Sequence, residues 1–292
     1  MAKQAAVTFF YQSGFTVALG KTLLIFSYWE HDSIPESHRL SARDFKGFNN
    51  IVVFVPRNSR EHNDPQIYTW KKSFPITYVV SSDVKDTVPQ DANVRLVREG
   101  DSLSIANVGI QVQASTDAGV SFWVRSGGIT VFHAGDLNMW HWREESTLRE
   151  ISRAEDAFYE AVSGLPDQPL DICMFPLDPN LGGFYDAGAN HIIMAKKPAV
   201  FFPMHWAARD EIAQDYARRM HVPKTTVYAL TRPRETALVD FAASPPMVRS
   251  ASQERRGIGR ASVQDEVANI ELNAYISDDP FSETDLPVDL QR

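Results

Sequence analysis

Short apolar runs bounded by turn residues dominate the first half of the chain. Residues 6–11, 15–19 and 22–28 are rich in aromatic and β-branched side chains and are separated by Ser13-Gly14 and Gly20-Lys21, a pattern that predicts an opening β-meander. After a charged, irregular stretch, residues 51–55 are wholly apolar and have the length of a buried strand. Asp64-Pro65 then offers an N-cap and a first-turn proline, predicting a helix through Lys72. Further strands are predicted at 76–81 and within 94–112, and a hairpin over 120–124 and 129–132 turns at Ser126-Gly127-Gly128. Helical spacing comes later. Leu148, Ile151, Ala154, Phe158 and Val162 line one face of a helix predicted within 143–162. Helices at 187–195 and 209–220 then alternate with strands at 171–177, 199–202, 226–230 and 236–241, so strands come first and helices are interleaved afterwards.

The composition narrows this picture. A chain of 292 residues, 43% of them hydrophobic, can bury one large core. The alternation stops after Ala242, where Ser244-Pro245-Pro246 opens a polar stretch with an acidic end; a folded domain over 1–243 and an unstructured polar tail over 244–292 are expected. The net charge of −8, without a dense basic patch, argues against nucleic acid as a partner. The single cysteine, Cys173, excludes an intrachain disulfide and stands in the apolar run DICMFPL, where a buried, inert thiol and a cytoplasmic location are expected. No run has the length of a membrane span, so no membrane partner is expected.

Candidate chemistry centres on residues 129–142, ITVFHAGDLNMWHW. An apolar strand runs into His133, Ala134, Gly135 and Asp136. The glycine lets backbone or a ligand come close, and the aspartate points a carboxylate out of the sheet end, as a metal ligand would be presented. His62 precedes the Asp64-Pro65 helix start, and His205 follows the apolar strand of FFPMHW. With Asp136 they are the His and carboxylate candidates that stand at strand and helix ends. Asp178, before Pro179, is a candidate for the same pocket or a turn cap. Trp140 and His141 either line a substrate pocket or pack under the next helix. His133 reads as a buried, hydrogen-bonded group behind the site rather than a ligand.

HAGDLN followed by PMHW at 203–206 resembles the last two metal motifs of the metallo-β-lactamase-fold hydrolases, in the lactonase-like and uncharacterised bacterial branch. The resemblance runs over about residues 6–241 and implies an α/β (α+β) fold, the four-layer αββα sandwich, with the site where strand ends meet. In that family the loop after an early buried strand carries His-x-His-x-Asp-His. Here the loop reads PRNSREHNDPQIYTW, which aligns Arg57, Ser59, Glu61 and His62 with the four ligand positions. Arg57 is a permanent cation and Ser59 a poor zinc ligand, so the first metal site is expected to be lost. Ser27 stands where an aspartate often orients the site, and Asp117 stands nearest the third motif, where an ion pair with Arg57 is expected. The resemblance thus implies one divalent metal on the mixed His/carboxylate set His62, Asp136 and His205, zinc first and iron or manganese as alternatives, with Glu61 as an added ligand or as the base, acting on a small ester, lactone or phosphoester. The alternative is a non-catalytic relative without metal, whose cleft binds an anionic ligand or partner through Arg57.

Overall fold

The computed structural model describes residues 3–90, 93–142, 144–207 and 209–251. In chain order the first strands are β1 (Gln4–Phe9), β2 (Phe15–Leu19), β3 (Thr22–Phe26), β4 (Asn50–Val55), β5 (Ile76–Ser81) and β6 (Val94–Val97). β7 (Ser102–Ile105), β8 (Val108–Gln113), β9 (Ser121–Ser126) and β10 (Ile129–His133) lead into α1 (Leu148–Gly164) and β11 (Ile172–Pro176). Then come α2 (Ala187–Lys196), β12 (Val200–Met204), α3 (Asp210–Arg219), β13 (Thr226–Val227), β14 (Thr236–Asp240) and β15 (Met247–Ser250). They form two sheets, one ordered β15-β14-β1-β2-β3-β4-β5-β6 and the other β13-β12-β11-β10-β9-β8-β7. One side of each sheet, out to its edge, is parallel, with β3, β4, β5 and β6 in one and β10, β11, β12 and β13 in the other.

The continuous apolar runs follow from burial on both faces, because successive side chains on a strand point to opposite sides. Leu24, Phe26, Val52 and Phe54 face the second sheet and meet Phe122, Val124 and Val131 in the central core. Their neighbours Leu23, Ile25, Ile51, Val53 and Val55 face outward and pack under Ile67, Tyr68 and Trp70. That outer layer is a 3-10 segment, Pro65–Lys72, capped by Asp64, whose carboxylate accepts from the Gln66 amide. On the far side of the second sheet, Phe158 of α1 packs against Phe175 of β11. Cys173 lies buried in β11, and burial pushes its thiol pKa up, so it stays an unreactive thiol. Among the described residues, no helix is long and apolar enough to cross a membrane.

Two boundaries differ most from expectation. The long helix starts at Leu148 rather than near 143, because Thr147 and Glu150 form a reciprocal capping box at that point. The sheet also continues beyond 243. β15 pairs antiparallel with β14, Met247 opposite Asp240 and Ser250 opposite Ala237. Val248 packs on the central core and Ala251 on the outer one. Ser244-Pro245-Pro246 therefore marks a turn from β14 into the edge strand β15 and not the end of the domain. The remainder of the expected tail, 252–292, lies outside the described residues.

Phe54 joins the two sheets beside the site: it stacks on Phe26 at 4.6 Å and meets Phe122 of the second sheet at 5.1 Å. Phe54→Ala is expected to cost about 3–5 kcal/mol in urea denaturation. A loss below about 1 kcal/mol would contradict this account of the core.

Candidate metal and guanidinium centre

The candidate residues meet where strands of both sheets end. β4 delivers Arg57, Glu61 and His62, β10 delivers Asp136, β11 delivers Asp178, β12 delivers His205, and the loop between β8 and β9 carries Asp117. Two glycines allow the approach. Gly135 has φ +56, and a Cβ there would stand 2.8 Å from the Val120 carbonyl oxygen and 3.1 Å from Cβ of Pro56. Gly119 has φ +87, and its Cβ would stand 2.6 Å from Cβ of Arg57. Any side chain at either position would push apart the backbones that seat Arg57. His205 itself has φ +64, unusual for a non-glycine residue. It is held there by Gln12, whose carbonyl accepts from the His205 amide at 3.1 Å and whose side chain accepts from the Ala207 amide.

Arg57 occupies the middle of the group. Its Nη1 lies 2.5 Å from Oδ2 of Asp117 and 2.5 Å from Oδ2 of Asp136. The expected pair with Asp117 is present, and the bond to Asp136 is additional. Asp136 is the more consequential partner, because its carboxylate is almost wholly buried whereas that of Asp117 is half exposed. Burial opposes ionisation of Asp136, but His62, His205 and Arg57 together outweigh it and hold the carboxyl well below the usual range. Arg57 answers in kind: burial works against its charge, and the two carboxylates more than restore it.

The other oxygen of Asp136 faces the histidines. Its Oδ1 lies 2.9 Å from Nε2 of His62 and 3.8 Å from Nε2 of His205, which in turn stands 3.8 Å from Oε2 of Glu61. Each ring has a partner behind it: Nδ1 of His62 shares a hydrogen bond with Ser27 Oγ at 2.8 Å, and Nδ1 of His205 lies 3.2 Å from Asp178. Burial disfavours a charged His205, yet Asp178, Asp136 and Glu61 raise its pKa above the ordinary value. Asp178 also caps the following 3-10 turn by accepting from the Asn180 amide. Ser59 contributes through its backbone, its carbonyl accepting from the His62 and Asn63 amides in the turn that presents Glu61 and His62.

The Trp/His turn divides. Trp140 stands at the site, its indole donating to the Asp136 carbonyl at 2.7 Å and its ring edge-on to His205. His141, expected as a possible pocket residue, turns away, packing on Phe184 with Nε2 3.6 Å from Glu155 of α1. The demand for apolar cover under α1 wins there. His133 is fully buried behind the site, stacked on Phe26, its Nδ1 accepting from the Gly135 amide and its Nε2–H donating to the Ser13 carbonyl. Both ring nitrogens are thereby committed, and burial pushes the pKa down to about 3. Sequence reasoning missed Gln12, whose only signal was its place before the Ser13-Gly14 turn.

Among the described residues, no group of three or more His, Cys, Asp or Glu side chains could hold a metal ion as it stands. Arg57 lies against Asp136 where a first ion would need that carboxylate. The donors around His205 are of another kind. Tetrahedral zinc with bonds of about 2.0–2.1 Å separates its ligand atoms by roughly 3.3 Å, and the separations of 2.9 Å and 3.8 Å measured here lie on either side of that value.

The sequence matches no protein-family model and no curated protein. Solved structures do resemble the chain. Igni18, a metallo hydrolase from the archaeon Ignicoccus hospitalis, superposes with a TM-score of 0.56 at 16% identity, over 82% of this chain and 99% of that one. The metallo-β-lactamase fold protein YhfI from Bacillus subtilis gives 0.51 at 8% identity, over 82% and 100%. CmlA, a diiron β-hydroxylase from Streptomyces venezuelae, gives 0.50 at 12% identity, over 81% of this chain and 54% of that one. The chain has the metallo-β-lactamase fold, and the helix-flanked double sheet expected from the sequence is the one observed. A fold shared by a metallo hydrolase and a hydroxylase does not specify the reaction, which has to be argued from the site.

Arg57→Ala is expected to cost about 3 kcal/mol, because it leaves the buried Asp136 without its cation. Asp117→Ala should cost under about 1 kcal/mol, and a double-mutant cycle should give a small positive coupling; zero coupling would dissolve the pair. For His133 the sign is fixed by the depressed pKa. Its contribution is complete above the unfolded value near 6.5 and is lost as pH falls toward about 3. His133→Asn should therefore flatten the acid limb of unfolding free energy against pH between those values, and an unchanged slope would refute the assignment.

Proposed function

We propose that the chain is a metal-dependent hydrolase working with one divalent metal, in which the guanidinium of Arg57 stands in place of a second. The observation that carries this reading is the position of Arg57 Nη1, 2.5 Å from both Asp117 and Asp136. His62, Asp136 and His205 would hold the metal, three protein ligands with a position left open, as catalytic sites require. Their surroundings suit the task. With an ion bound, Ser27 can accept the Nδ1 proton of His62, and the Asp178 carboxylate faces Nδ1 of His205 at 3.2 Å, which would leave a lone pair on each Nε2 for the ion.

A divalent metal there supplies Lewis acidity at a substrate oxygen and lowers the pKa of a water, zinc being the first expectation. The remaining work falls to the chain. Glu61, partly exposed beside His205, is the acceptor for the proton of the attacking water, through a carboxylate oxygen. Arg57 keeps Asp136 ionised and fixes its orientation. Trp140 covers one side of His205 and excludes water from it. A small ester, lactone or phosphoester is the substrate class that fits this chemistry.

Charge balance weighs against the alternative, an anion-binding relative without catalysis. Around the centre the carboxylates of Glu61, Asp117, Asp136 and Asp178 outnumber the guanidinium four to one. Arg57 already spends Nη1 on two of them, so the cleft attracts cations more than anions.

The deciding measurement is metal content by mass spectrometry, on protein purified without chelator or metal-binding tag. About one metal per chain is expected, falling to near zero in Asp136→Ala and His205→Ala with the fold retained by circular dichroism. Near-zero metal in the parent, with no uptake of added zinc or manganese, would overturn the reading. Arg57→His combined with Ser59→His should raise the stoichiometry toward two.

A further inference from the structure

Arg57 has a donor that the centre does not use. Its Nη1 serves both Asp117 and Asp136 at 2.5 Å, and its Nε is buried. Nη2 donates to nothing among the described residues and is not buried. In a side chain that is 24% exposed, it is the polar atom left for a ligand. The guanidinium is a rigid planar fork, so Nη2 is fixed beside Nη1 and therefore beside the Asp136 carboxylate.

The base stands on the other flank. Asp136 turns Oδ2 to Arg57 and Oδ1 to His62 and His205, and Glu61 lies against His205. A carbonyl group seated over Asp136 would meet a donor at its oxygen and a proton acceptor on the opposite side. Charge narrows the ligand further. The carboxylates of Glu61, Asp117, Asp136 and Asp178 exceed the combined charge of Arg57 and one divalent ion, so the centre stays net negative. That disfavours a dianionic phosphate. An uncharged ester meets no such penalty, because its oxygen gains charge only during the reaction.

We propose that Arg57 is a catalytic residue as well as an anchor, its Nη2 donating to the carbonyl oxygen of an uncharged carboxylic ester as that oxygen becomes an oxyanion. Arg57 plays this part only if the chain is the hydrolase proposed above, and the substrate then narrows to carboxylic esters, cyclic ones included. The water oxygen bonds to the acyl carbon and one water proton passes to Glu61, while the carbonyl π pair moves onto the oxygen held by Nη2. When that pair returns, the bond to the leaving oxygen breaks. The leaving oxygen takes the proton from Glu61, giving an acid and an alcohol.

The test takes the full chain as purified, with metal content measured on the same sample. Under ¹⁵N-arginine labelling, the buried Nε–H of Arg57 reports on its own guanidinium and is assigned through bonds. δ-Valerolactam, an uncharged carbonyl compound that resists hydrolysis, is expected to shift this resonance saturably at millimolar concentration. Phenyl phosphate should bind about tenfold more weakly or worse. Arg57→Lys keeps a cation for Asp136 but loses the fork. It is expected to retain metal, while kcat for phenyl acetate falls about a hundredfold or more and KM stays within about threefold. An unchanged kcat in metal-loaded Arg57→Lys, no lactam shift in metal-containing protein, or phosphate bound as tightly as lactam would overturn the role of Arg57. If Arg57→Lys loses its metal or its fold, the lactam titration of the parent decides alone. Near-zero metal in the parent would overturn the hydrolase reading itself, and the catalytic role with it.

Discussion

One guanidinium nitrogen shared between two carboxylates organises the site. Arg57 comes from the first sheet, and Asp117 and Asp136 come from the second. A metal ion in that position could exchange, whereas a side chain cannot leave. It brings one positive charge where a divalent ion would bring two, and hydrogen bonds of fixed direction where an ion would accept several arrangements. The result is a centre whose buried carboxylate keeps one oxygen committed to a permanent cation and the other turned toward two imidazoles.

The backbone around this contact is shaped to receive it. Gly119 and Gly135 let two segments crowd onto Pro56 and Arg57, and Gln12 holds His205 in its left-handed conformation. Such positions are unfavourable alone and persist because two packed sheets over-determine them. Behind them His133 is locked in a single tautomer, which ties the Asp136 turn to the Ser13 turn on the first sheet. Precision at the strand ends is thus a property of the sandwich and not of the loops.

Much of this was legible in the chain. The strands were readable because runs such as residues 51–55 are apolar on both faces, and the strand-to-carboxylate pattern at 129–136 exposed Asp136. The Arg57–Asp117 pair followed from asking what could accompany a buried cation in that loop. What could not be read depends on three-dimensional partners. Asp136 as the second partner of Arg57, the cap supplied by Gln12 and the rotation of His141 under α1 leave no periodic trace in the sequence. The edge strand after Ser244-Pro245-Pro246 was hidden for a related reason: edge pairing relies on backbone hydrogen bonds and needs only a modest apolar contribution from Val248 and Ala251.

The division of the site between the sheets has a mechanical consequence. Glu61 and His62 ride on one sheet and Asp136 and His205 on the other, so whatever ties these groups together acts as a clasp across the mouth of the sandwich. Separating the layers by even an ångström would release it. Anything that binds both rims of the folded sandwich and not the unfolded chain therefore stabilises the fold by mass action, in proportion to the logarithm of its concentration over its dissociation constant. Occupancy at the rim and cohesion between the layers are in that sense a single equilibrium, observed from two ends.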